Sequence, residues 1–257
     1  MIIDCHCHAG KGDGLTGPWD TDAPLSVFLQ RSFDAGIERT VIFPAFNSDY
    51  YVANMAVAKM VKASGGRLMG FAFVNPERDK GRVFRMVQQL VQQYGFCGMK
   101  VHRHDARISR EICEVAARLN IPVLYDVLGD IGSIPLFASQ YPKVNFIIPH
   151  LGSYADDWKL QSAFIDQLVK FRNIYTDSSA VKRFDLLEEA YRRAGASKIL
   201  FGTDGPWHHP LLELEKIRAL NAPPQEESLM TGGNFLRLTS QRGLESLKVQ
   251  RVNSLKV

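Results

Sequence analysis

The sequence is poor in the features that mark several protein classes. Its 257 residues hold only 4 cysteines, at positions 5, 7, 97 and 113, with no CxxC pair and far below the density of a disulfide scaffold, which fits a reducing compartment. No stretch approaches the roughly 18 uninterrupted apolar residues of a membrane span; runs such as Phe146 to Pro149 are short and bounded by polar groups. The N-terminus, Met1-Ile2-Ile3-Asp4, has neither a basic region nor an apolar stretch behind it and enters a strand-like pattern at once, so no export signal is expected and the default location is the cytoplasm. Charge of one sign is also scarce: 31 Lys+Arg against 27 Asp+Glu leave a net +4, too little to predict a nucleic-acid partner. With 46% hydrophobic and 23% charged residues, the composition excludes disorder and collagen-like repeats and leaves an ordinary folded chain.

What the chain does contain is alternation. Short β-branched or aromatic runs fall at Ile2 to His6, Thr40 to Pro44, Arg67 to Val74, Gly98 to His102, Pro122 to Val127, Val144 to Pro149, Asn173 to Asp177 and Lys198 to Gly202. Between them lie segments of helical period: Leu25 to Ala35, Tyr51 to Ala63, Arg82 to Tyr94, Ser109 to Leu119, Ile134 to Ser139, Trp158 to Lys170, Phe184 to Ala194, Leu211 to Leu220 and a closing Glu226 to Leu238. Repeated βα units build a parallel sheet, and eight of them in about 250 residues predict a single α/β domain, a (β/α)8 TIM barrel. The expected organisation is a barrel over residues 1–240 and a short C-terminal tail, 241–257, which carries Arg242, Lys248, Arg251 and Lys256 against Glu245 and hence most of the net charge. No linker or compositional break divides the chain.

Barrel chemistry sits at the C-terminal strand ends, where this sequence concentrates polar residues. The first strand runs Asp4-Cys5-His6-Cys7-His8, and a period of two points Asp4, His6 and His8 one way and both cysteines outward under the helices. The sixth ends Pro149-His150-Leu151-Gly152 and the eighth Gly202-Thr203-Asp204-Gly205-Pro206-Trp207. Imidazoles and a carboxylate are the ligands of a catalytic divalent ion with a position open for water. Lys100 and His102 share a face of the fourth strand. His104, His208, His209 and Asp177 are weaker candidates, for each reads equally as an ordinary loop or turn residue. The long loop Gly10 to Asp22 reads as a lid; its Gly12-x-Gly14-x-x-Gly17 string precedes no immediate helix, which discards a dinucleotide site.

In order, Ile-Asp-x-His-x-His, Gly-Met-Lys-Val-His, Pro-His-Leu-Gly, Gly-Thr-Asp-Gly-Pro-Trp and the closing Gly233-Asn234-Phe235-Leu236-Arg237-Leu238 resemble the amidohydrolase superfamily, in its amidohydrolase-related branch, from residue 2 to about 238. The resemblance implies a distorted TIM barrel with one or two metal ions, and a hydrolase of amides, esters or lactones or a non-oxidative decarboxylase of aromatic and related acids. It implies His6 and His8 as metal ligands, Asp204 as a ligand that relays a proton, and His150 as a catalytic or ligating histidine. The fifth strand departs from the pattern: Asp126 stands where a ligating histidine is usual, so it becomes a candidate ligand that favours a harder metal. Lys100, which in some superfamily members is carboxylated and bridges two metals, reads here as a cation that binds a substrate carboxylate or packs beside the metal, with His102 beside it. The expectation is therefore a metal-dependent hydrolase of a small, anionic organic substrate, using one divalent ion, zinc first and manganese or magnesium as alternatives. A decarboxylase is the runner-up and a metal-free or non-catalytic binding barrel the third reading. Family habit implies a homodimer.

Overall fold

The computed structural model describes residues 1–13, 22–154 and 156–240. Eight parallel strands follow the chain in order, each hydrogen-bonded to the next: β1 (Ile3–Ala9), β2 (Arg39–Pro44), β3 (Leu68–Phe73), β4 (Gly98–His102), β5 (Val123–Asp126), β6 (Phe146–Ile148), β7 (Ile174–Asp177) and β8 (Ile199–Leu200). The ring closes between the first strand and the segment after the last, where Cys5 N donates to Phe201 O (3.0 Å) and His8 N to Gly205 O (2.6 Å). This is a TIM barrel. Its helices are α1 (Leu25–Asp34), α2 (Tyr50–Ala63), α3 (Val83–Tyr94), α4 (Arg110–Leu119), α5 (Ile134–Gln140), α6 (Trp158–Lys170), α7 (Phe184–Ala194), α8 (Pro210–Arg218), α9 (Pro224–Ser228) and α10 (Asn234–Thr239). Among the described residues, no helix is long and apolar enough to cross a membrane. The expected tail, 241–257, and most of the expected lid lie outside the described residues.

Local chemistry accounts for the element ends. Asp49, Ser109 and Asp157 cap α2, α4 and α6 by accepting backbone N–H groups of the first turn. Gly95 and Asn120 close α3 and α4 in the left-handed region. Strand alternation then sorts side chains into two cores. Outward residues such as Ile42, Ala72, Met99, Val101, Val123 and Phe146 pack under the helices, while Ile3, Val41, Phe43, Phe71, Phe73, Leu124, Ile147 and Leu200 fill the lumen. Phe235 of α10 stacks on Phe71, 6.0 Å between ring centroids.

One expectation is refined and one corrected. The closing helical segment Glu226 to Leu238 is helical throughout, with α9 passing through one π turn, Leu229–Gly233, into α10. A Cβ on Gly232 would lie 2.4 Å from the Met1 carbonyl oxygen, so only glycine lets this turn lie so close to the N-terminus. The strict alternation along β1 also fails. The pairing of β1 with β2 shifts register between Asp4 and Cys7, so Cys5 joins the lumen core while Cys7 alone packs under the helices. A bulge inserts one residue, so Ile3 and Cys5 before it face the lumen while His6 and His8 beyond it keep their expected aim at the mouth.

Candidate metal centre at the barrel mouth

β1 carries His6 and His8 to the C-terminal mouth, and the turns leaving β6 and β8 carry His150 and Asp204. Both turns are strained, with φ of 58° at His150, 51° at Leu151 and 55° at Asp204, a region costly for residues with a Cβ. The strain aims the two side chains inward, and all four site residues are buried.

The hydrogen bonds of the outer ring nitrogens decide what the inner ones present. His6 Nδ1 lies 2.8 Å from Asp177 Oδ2, His8 Nδ1 3.2 Å from Pro44 O, and His150 Nδ1 2.7 Å from Ser179 O. Each partner is an acceptor, so each Nδ1 carries the proton and each Nε2 offers a lone pair. Two of these lone pairs meet the same carboxylate oxygen: His6 Nε2 is 3.3 Å and His8 Nε2 3.6 Å from Asp204 Oδ1. Ligand atoms of the three residues all fall within 4.8 Å of one another, and among the described residues no other group of three does so. Three electron-rich atoms facing one point are repulsive without a cation. Two ligands at about 2.05 Å on a tetrahedral ion stand about 3.3 Å apart, so donor type, tautomer and spacing all fit a divalent metal. Burial, together with Lys100, lowers the pKa of His6, and burial with Lys100, His6 and His102 sets that of His8 well below the ordinary value, which keeps both imidazoles neutral as ligation requires.

Asp126 and His150 do not join this group of three. Asp126 Oδ1 accepts from Leu128 N (2.8 Å), while Oδ2 lies 3.1 Å from His102 Nε2 and 3.6 Å from His150 Nε2. Burial pushes the Asp126 carboxyl up, but His102, His150 and Lys100 outweigh it and hold the group well below the ordinary carboxylate range. His102 Nδ1 accepts from His104 N (3.0 Å), so its Nε2 donates to Asp126. Lys100 is fully buried, 3.4 Å from His6 Nε2 and 5.0 Å above the Phe43 ring. Burial lowers its pKa, against the pull of Asp126, Asp204 and Asp177.

Asp177, a weaker candidate that reads equally as a turn residue, is the acceptor for His6; Ser179 beside it holds His150. Burial would raise the Asp177 pKa, but His6, His150 and Ser179 bring it down to about 2. Its place at the end of the seventh strand was the sequence signal for Asp177; the partner it serves lies 171 positions away. Sequence reasoning also missed the aromatic wall: Phe46 packs edge-on against His102 (4.9 Å) and His104 (5.4 Å), Tyr154 edge-on against His150 (5.2 Å), and Trp207 lies tilted against His8 (4.7 Å). His208 faces Asp204 Oδ2 at 4.0 Å and Glu213 at 3.9 Å; among the described residues no such contact is found for His209.

The family described as Amidohydrolase matches residues 3–238. Among solved structures, the chain is similar to 5-carboxyvanillate decarboxylase from Sphingomonas paucimobilis, with 13% identity and a TM-score of 0.72 over 93% of this chain and 98% of that one. It is similar to a probable 2-pyrone-4,6-dicarboxylic acid hydrolase from Acinetobacter baumannii with citric acid bound, with 16% identity and a TM-score of 0.72 over 93% and 99%. It is also similar to a dihydroxybenzoic acid decarboxylase from Polaromonas with bound manganese and the inhibitor 2-nitroresorcinol, with 17% identity and a TM-score of 0.69 over 93% and 97%. At these identities the likeness is one of fold. No curated protein matches the sequence.

Proposed function

We propose that this chain, which belongs to the amidohydrolase family, is a metal-dependent hydrolase of a small anionic ester, lactone or amide. The observation that carries the reading is the convergence of His6 Nε2, His8 Nε2 and Asp204 Oδ1, with every outer histidine nitrogen already bonded to an acceptor. These three residues would hold the ion. A divalent ion so held supplies Lewis-acid polarisation of a carbonyl and makes water acidic enough to act near neutral pH. The donor set does not select zinc over manganese.

The protein's own groups do the rest. Asp204 turns Oδ1 to the two histidines and Oδ2 away, toward His208, so Oδ2 is the atom that takes a proton from water and returns it to the leaving group. His150, fixed through Nδ1, presents its Nε2 lone pair across the site, where it can take a proton and then, as imidazolium, donate to the oxygen that gains charge as the carbonyl is attacked. Lys100 binds a substrate carboxylate at the buried side. Phe46, Tyr154 and Trp207 line the mouth and offer flat faces to a substrate.

That aromatic wall favours a second reading, non-oxidative decarboxylation of an aromatic acid, in which the same Lys100 anchors the acid and Asp204 protonates the carbon that loses CO2. Product analysis separates the two: acid released from a lactone and ester panel, or CO2 from hydroxybenzoate-type acids. His6→Ala and Asp204→Asn are each expected to lower kcat/KM by about 10²–10⁴-fold. Full activity in either variant at equal metal content would remove the assignment.

A further inference from the structure

One carboxylate serves both histidines that face the site from opposite sides. Asp177 Oδ2 takes the His6 Nδ1 proton at 2.8 Å. Its other oxygen, Oδ1, accepts from Ser179 Oγ (2.5 Å), Ser179 N (3.1 Å) and His150 N (3.4 Å). Ser179 in turn accepts the His150 Nδ1 proton through its carbonyl at 2.7 Å. Asp177 and Ser179 are both completely buried, so water cannot replace these bonds.

We propose that Asp177 is the positioning residue of the site: it fixes His6 in the tautomer whose Nε2 can ligate a metal, and it anchors the turn that carries His150. The inference rests on the metal reading of His6, His8 and Asp204. It has a consequence that packing alone does not produce. An asparagine at 177 keeps the shape but has one oxygen and one NH2. Three donors crowd Oδ1, so the amide oxygen takes that place and the NH2 faces His6 Nδ1. The imidazole must then accept at Nδ1 and carry its proton on Nε2, where the metal lone pair is needed. The isosteric Asp177→Asn is therefore more harmful to metal binding than the truncation Asp177→Ala, which leaves His6 Nδ1 beside the Ser179 hydroxyl, 3.2 Å away and able to accept its proton. A role in packing alone gives the opposite order, because alanine opens a cavity and asparagine does not.

The test is Zn²⁺ and Mn²⁺ affinity, measured by competition with a chromophoric chelator, for the wild type, His6→Ala, Asp177→Asn and Asp177→Ala. Loss of an orienting acceptor costs about 10–100-fold in affinity, so Asp177→Ala is expected near the lower figure and Asp177→Asn at or beyond the upper one. ¹⁵N shifts of the imidazole nitrogens in the metal-free wild type provide a second measurement that needs no variant to fold, with His6 expected as the Nδ1–H form. Wild-type binding that is lost in His6→Ala but unchanged in Asp177→Asn, or weaker in the alanine variant than in the asparagine one, overturns the inference and leaves the metal reading standing. An Nε2–H His6 in the wild type does the same. A wild type that binds neither ion overturns both.

Discussion

Lys100 shows how far single residues were legible. The period of two along the fourth strand put it in the lumen with His102, and it is there, fully buried and 3.4 Å from His6 Nε2. An ammonium in that place is costly unless it serves a charge, and a substrate carboxylate is the charge the proposed reaction brings. Lys100→Met is expected to raise KM for an anionic substrate by roughly 10–150-fold, the worth of a hydrogen bond to a charged group, with a smaller change in kcat. Steady-state kinetics on an anionic substrate and its neutral analogue check this; equal losses on both would refute the role. The cysteines give a plainer expectation. All four are free and buried, and burial, with Glu114 nearby, pushes the Cys113 thiol up to about 12. The native protein should give almost no fast reaction with a thiol reagent, and four equivalents after unfolding. Asp177 marks the limit at this scale, since Asp-Ser-Ser reads locally as a turn and only the closed barrel reveals what it holds.

Elements were legible where periodicity is long and uninterrupted. Helices α6 and α7 have the ends that helical period and flanking residues predict, and every strand was found. Strand length was not: β8 has two residues where five were expected, because its continuation bonds to β1 as irregular backbone and carries the strained Asp204. The bulge in β1 was equally hidden. It depends on how the strand meets β2, and it moves Cys5 into the lumen without disturbing the inward aim of His6 and His8. The lumen packing gives a prediction at this scale. A Cβ on Gly98, the first residue of β4, would lie 2.4 Å from the Phe71 ring, which itself stacks on Phe235. Gly98→Ala should cost about 1–3 kcal/mol, a fall of roughly 2–12 °C in Tm, with metal stoichiometry unchanged. An unaltered Tm would show that the bottom of the lumen yields more easily than its packing implies.

At the scale of the molecule, the fold was readable because eight βα units in one chain have few other ways to bury their strands, and the candidate site because such barrels gather their chemistry at one mouth. The substrate was not readable. The aromatic residues at the mouth, Phe46, Tyr154 and Trp207, sit on three separate loops whose meeting depends on tertiary packing. Binding of an ion to the folded chain alone also stabilises the whole barrel, by about 2.7 kcal/mol at a free concentration of 100 Kd. Chelation should therefore lower the Tm of the wild type and leave that of a His6→Ala/His8→Ala variant unmoved. The most direct measurement is the metal content of protein purified without chelator, by elemental analysis of the wild type and of that double variant. A stoichiometric divalent ion in the wild type that disappears from the variant is the predicted result; no ion in the wild type, or the same ion retained without His6 and His8, would contradict it.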